Sequence, residues 1–173
     1  MDIERLANII DDMALQHDYP GFDVRSVKFG LPQEAVKSPA KLFGQGLKHD
    51  SHLVRIASLR WFQEKPSAAR PYARVIEEAL SDDDEWVRLE AIHCFEKIGT
   101  NSVRYAPAIA SLLSDQQVEV RKAAAKALGK IGCKQASVLD ALRAASKDSD
   151  HEVRWKAEKA LRLLGVYAES SSG

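Results

Sequence analysis

The stretch SDQQVEVRKAAAKALGKIG, residues 114–132, carries the pattern that decides the fold. Its Val120-Arg121 pair is one of four on a fixed lattice, with Val54-Arg55, Val87-Arg88 and Val153-Arg154, each 33 residues after the one before. Val24-Arg25 and Val103-Arg104 also occur, off this lattice. Spacing this strict means that one supersecondary unit is stacked on copies of itself, each burying its apolar face against its neighbours.

With the lattice Val as position zero, the columns define a helix. Position four holds Ser58, Ala91, Ala124 and Ala157, and position eight holds Phe62, Phe95, Leu128 and Leu161. Position eleven holds Lys65, Ile98, Ile131 and Leu164, followed by Pro66, Gly99, Gly132 or Gly165. Apolar residues at 0, 4, 7, 8 and 11 form one helical stripe, which Pro or Gly then stops. Cap-competent residues precede each Val: His49-Asp50-Ser51, Asp82-Asp83-Asp84, Asp115 and Asp148-Ser149-Asp150. Upstream, Phe43, Ile76, Ile109 and Leu142 share a second helical column, and Pro39, Pro71 and Pro107 suit helix starts. Each unit is therefore a helical hairpin, helix A then helix B. No run alternates as a strand does.

The strings 82–99 and 148–165 look like 114–132, and HDSHLVRIASLRWFQEK is a more degraded copy. Together, over roughly residues 36–165, they resemble HEAT repeats of the short type found in phycobilin-lyase-like proteins. The resemblance implies an all-α, right-handed α-solenoid of about four helical hairpins. It also implies that Arg55, Arg88, Arg121 and Arg154 form a structural ladder with acidic residues of adjacent repeats, here Asp83, Asp115 or Asp148. Residues 1–35 are expected to supply an N-terminal capping helix and loop, 36–166 the repeat array and 167–173 a flexible tail. The capping helix places Ile3, Leu6, Ile10 and Met13 on one face.

Composition sets further bounds. The 173 residues include 25 basic and 25 acidic ones, so net charge gives no drive toward nucleic acid or acidic membrane. The N-terminus lacks the basic start and apolar core of a signal peptide, and no segment approaches the roughly 20 apolar residues of a membrane span. Two cysteines, Cys94 and Cys133, make neither a disulfide framework nor a metal motif. A cytoplasmic protein is expected.

In HEAT-like folds helix B usually lines the concave face. Positions two, six and nine of helix B point away from its core stripe, at about 100° per residue. Two zones emerge. Ile56, Leu59, Leu89 and Ile92, with Arg60 and His93 beside them, put aliphatic side chains where a solvated surface is polar. Three readings are open: the N-terminal segment, with Phe22, Val27 and Phe29, folds back over them, they are an interaction patch, or the helical register is misassigned. Lys122, Lys126, Lys156, Lys159 and Arg162 surround Trp155, and Val120–Gly165 carries 11 basic against 5 acidic residues. An acidic protein segment suits this second zone.

No catalytic constellation is found. His49 and His52 have metal-compatible spacing but are only two, with a capping or solvated role expected. Cys94 lies on the core stripe, and Cys133, after a helix-ending glycine, is expected to be exposed without a base to activate it. No phosphate loop, nucleophile elbow or dinucleotide fingerprint is present. No cofactor is implied. The expectation is a non-catalytic scaffold or adaptor binding a partner protein on the helix B surface, in a regulatory, chaperone-like or toxin-immunity role. A nucleic-acid-binding module, and a lyase or isomerase subunit, are the alternatives.

Overall fold

The columns that repeat in the sequence also set where helices begin and end. The structure, a computed structural model, describes residues 2–16 and 38–166. The expectations for segment 17–35, including Phe22, Val27 and Phe29, and for tail 167–173 lie outside these residues. Among the described residues there is no strand, and the architecture is an all-α solenoid of helical hairpins.

The elements are α1 (Ile3–Gln16), α2 (Pro39–Gly46), α3 (His52–Glu64), α4 (Pro66–Ala69), α5 (Ala73–Glu78), α6 (Glu85–Ile98), α7 (Ala106–Ser111), α8 (Val118–Ile131), α9 (Ala136–Ala145) and α10 (His151–Leu163). Helix B of the four hairpins is α3, α6, α8 and α10. Helix A is one segment in the first and last hairpins, α2 and α9. In the middle two it is broken into α-helical and 3-10 pieces, the latter at Arg70–Tyr72, Ala79–Ser81, Gly99–Tyr105 and Leu112–Ser114. Pro71 lies in one 3-10 turn and Pro107 opens α7. A proline ring forbids a normal helical bond from its own position, so the chain resets there. The described chain falls into two compact units, Met1–Cys94 and Phe95–Gly173.

In the first unit α1 packs on α2 and α3. Leu6 and Ile10 are fully buried, and Ile3 is half-buried; the side chain of Met13 lies outside the described set. An amphipathic helix thus covers the apolar end that an uncapped first repeat would expose. Val54, Phe62 and Ile76 form the core behind it. Ser58, the one hydroxyl in the small-residue column, donates to the Val54 carbonyl at 2.7 Å, so its burial leaves no unmet polar group.

In the second unit α8 and α10 lie side by side at close range. A Cβ placed on Gly129 would stand 3.0 Å from Ala160 Cα and 3.1 Å from its Cβ, so a side chain at position nine would push the two helices apart by a few tenths of an ångström. Val120, Leu128, Ile131, Leu142 and Leu161 fill the core. Helix α8 ends on Gly132 in the left-handed region, φ 81°, whose N–H closes on the Leu128 carbonyl. Asp150 caps α10, its carboxylate accepting from the amides of Glu152 and Val153 at 2.9 and 3.0 Å. Asp84 does the same at the start of α6.

Candidate functional site

The lattice arginines divide their donors in two. Nη1 of Arg55 donates to the His49 and Asp50 carbonyls at 2.8 and 2.7 Å, closing the turn before its own helix B. Its Nε and Nη2 donate to the two Asp82 carboxylate oxygens at 2.8 and 2.9 Å, one hairpin further on. Arg121 repeats this with the Asp115 and Gln116 carbonyls and with Asp148, the latter at 2.9 and 3.0 Å. Arg88 and Arg154 close their own turns in the same way. Arg55 therefore pairs with Asp82 and not with the expected Asp83. The guanidinium of Arg121 beside Asp148 holds that carboxyl below its ordinary value. Arg55 and Arg121 thus join hairpins rather than facing a ligand.

The aliphatic zone of the first unit differs from expectation. Ile56, Leu59 and Ile92 are buried, and Leu89 is half-buried. Position five is packed because neighbouring B helices lie against each other there: the Leu59 carbonyl accepts from Cys94 Sγ at 3.1 Å, joining α3 to α6. An exposed aliphatic patch on Ile56, Leu59 and Ile92 is thus absent. Among the described residues of this unit, Trp86, 47% exposed in the first turn of α6, is the large apolar side chain that is accessible, with Leu53 half-buried in the same column. Sequence reasoning passed over Trp86. Its signal was an aromatic at position −1, where the later repeats carry Glu119 and Glu152.

Arg60 and His93 are engaged too. Both face Glu90, a carboxylate only 5% exposed. Arg60 Nε and Nη2 each lie 2.7 Å from Oε1, and His93 Nδ1 lies 3.5 Å from Oε2. Gln63 Nε2 donates to Oε2 at 2.6 Å and to the Glu90 carbonyl at 3.1 Å. Burial pushes the Glu90 carboxyl up, but the hydrogen bonds from His93 and Gln63 and the Arg60 charge outweigh it and hold it below its ordinary value.

The basic zone of the second unit is similarly sorted by the structure. Lys122 is bound by Glu119 and, at 3.1 Å, by Glu152. Lys126 reaches Glu96 at 3.1 Å, and Lys130 reaches the same carboxylate. Burial of Glu96 is offset by these two ammonium groups, which lower its carboxyl. Trp155, by contrast, is 53% exposed. Lys159 Nζ sits 4.9 Å and Lys156 Nζ 5.7 Å from its ring centroid, as cation–π neighbours. Neither ammonium has a carboxylate partner among the described residues. Arg162 and Leu163 are exposed one turn further along α10.

Both thiols are buried. Cys133, expected at the surface, is 1% exposed: the chain after Gly132 turns the side chain back into the core. Burial, then the nearby Glu90 charge, pushes the Cys94 thiol well above its usual value. His49 is occupied by its own turn, Nδ1 accepting from the Ser51 amide at 3.1 Å. No three potential metal ligands come together among the described residues, and no described helix is long and apolar enough to cross a membrane.

Helical hairpins joined through lattice arginines define an α-solenoid of the HEAT-like class. A family model described as HEAT repeats matches residues 73–162. The chain belongs to the HEAT-repeat family. No curated protein matches it. Among solved structures, an engineered protein aligns with TM-score 0.63 and 20% identity over 78% of this chain and 66% of its own. A designed armadillo repeat protein in complex with the peptide (KR)4 gives 0.62 and 18% over 72% and 64%. The complex of CpcE and CpcF of phycocyanin lyase from Nostoc sp. gives 0.52 and 16% over 78% and 68%. This chain thus spans just under two thirds of the engineered and designed chains. At these identities the likeness is one of fold.

Proposed function

We propose that this chain is a non-catalytic protein-binding scaffold whose site in the second unit, around Trp155 on α10, holds an acidic segment of a partner protein. One observation carries the reading. Among the lysines of the basic zone, Lys122, Lys126 and Lys130 are spent on internal carboxylates, while Lys156 and Lys159 flank an exposed indole with no acid of their own among the described residues. Covering the exposed half of an indole, on the order of 100 Å², contributes about 2–3 kcal/mol. The flanking ammonium groups add selectivity for acid and speed encounter. A rigid helix presents all three side chains with little ordering cost. The designed armadillo neighbour in complex with a peptide supports peptide recognition as a use of such stacks.

The same pairing disfavours nucleic acid, because three of the lysines that would meet phosphate are already neutralised. Burial of both thiols disfavours thioether chemistry of a lyase kind. The test is affinity capture from the native extract with the wild-type chain beside a Trp155→Ala/Lys159→Glu variant. One stoichiometric protein, retained after nuclease and lost with the variant, is expected. Recovery of nuclease-sensitive nucleic acid, or capture indifferent to the variant, would overturn the reading.

A further inference from the structure

Arg154 stands apart from Arg55 and Arg121 in what its outer edge meets. Its Nη1 is fixed as in the others, donating to the Asp148 and Ser149 carbonyls, both at 2.8 Å. In Arg55 and Arg121 the remaining Nε/Nη2 edge grips both oxygens of an aspartate at 2.8–3.0 Å. In Arg154 that edge meets no carboxylate among the described residues. Two carbonyl bonds hold the planar guanidinium in the orientation that serves Arg55 and Arg121, so the fork is set before anything binds.

We propose that the Nε/Nη2 edge of Arg154 is a carboxylate seat, filled by an Asp or Glu side chain of the partner segment that docks at Trp155. The inference rests on the function proposed above and adds where the acid goes. Two observations support it. The occupied copies show which group this fork selects: a planar carboxylate, both oxygens engaged, in Asp82 and Asp148 alike. Charge complementarity then supplies the sign, since Arg154, Lys156 and Lys159 are successive cations of one helix and the two lysines also lack an acid among the described residues. A bidentate bond from a fixed fork adds register to a contact that lysines alone would leave loose.

The test uses the whole chain, labelled with 15N, and a capped octapeptide of alternating Glu and Leu, with its Gln-for-Glu counterpart and an eight-base oligothymidylate as comparisons. The readouts are the Arg154 Nε–H resonance, assigned by its loss in Arg154→Lys, and the Trp155 indole N–H. The acidic peptide is expected to shift both, and the Gln peptide to leave the Arg154 resonance in place. Arg154→Lys keeps the charge but loses the fork, and should weaken the acidic peptide about tenfold; comparison of the two peptides on the wild-type chain needs no variant at all. A shift at Trp155 without one at Arg154 would overturn the seat and leave the proposed function standing. Shifts at neither would remove both. A larger Arg154 shift with the oligonucleotide would make the fork a phosphate site and overturn the assignment.

Discussion

Replacing Arg121 by Met should cost more than replacing Arg154 by Met, and the difference measures the bond between hairpins. Arg121→Met removes four hydrogen bonds: two to the Asp148 carboxylate and two to turn carbonyls. Arg154→Met removes only the turn bonds. Between the variants lies one bidentate pair whose side chains are each 12% exposed. Hydrogen bonds to charged groups are worth about 1.5–3 kcal/mol. The stranded Asp148 keeps the Asp150 amide at 2.8 Å, which holds the penalty toward the lower part of that range. The expected excess is about 2 kcal/mol, or about 4–8 °C in Tm for a chain of this size. Urea unfolding followed by circular dichroism at neutral pH measures it. Asp148→Asn completes a double-mutant cycle within the same pair of hairpins. The pH dependence has a fixed sign. With its native carboxyl below the ordinary value, Asp148 contributes fully above the usual carboxylate range, and the contribution is lost as pH falls through the lowered value. Equal losses in Arg121→Met and Arg154→Met, or an undiminished effect of Arg121→Met in the Asp148→Asn background, would refute the view that the ladder couples hairpins.

Gly129→Leu should lower stability by about 1–3 kcal/mol in the same assay, because its Cβ would already stand 3.0 Å from Ala160 Cα before the rest of the side chain is placed. Glu90→Gln should destabilise at neutral pH, and the loss should shrink as pH falls through the lowered value of the native carboxyl; urea midpoints across an acid pH series read this directly. Both thiols should resist an aromatic disulfide reagent in the native state and react on unfolding, and fast native labelling would contradict the burial of Cys94 and Cys133.

The hairpin count and the extent of each helix B were legible because the lattice repeats without slippage and its columns carry strong helical spacing. The breaks in helix A were less so. Pro71 and Pro107 mark a start in the sequence, yet the chain passes through 3-10 turns on both sides of α5 and α7, which the apolar columns do not announce. The error at Leu59 and Ile92 has a geometric cause. A wheel drawn for one helix puts position five on the flank, but a stacked B helix is also buried where it meets its neighbour, as α3 meets α6. The last hairpin shows the rule from the other side, with Glu158, half-buried, in that column. Glu90 was readable in part: its column holds Ala57 and Ala123, both buried, as well as the half-buried Lys156, so a carboxylate placed there in the middle of the stack needs donors inside.

The columns also separate what builds the stack from what distinguishes one hairpin from the next. Position one is always Arg, position four always small, position eight always large and apolar. These are the positions whose partners lie in the core or in the ladder. Positions −1 and two change from Leu53 and Ile56 to Trp86 and Leu89, then Glu119 and Lys122, then Glu152 and Trp155. Charge placed there is used internally wherever a neighbouring helix supplies an opposite charge, as Lys122 between Glu119 and Glu152 shows. A count of basic residues therefore overstates the surface that can meet a ligand. The two exposed tryptophans, Trp86 and Trp155, are what the internal pairing cannot absorb. Among the described residues, Trp155 is the one of the two flanked by lysines within cation–π range, and this sets α10 apart as the face for recognition proposed above.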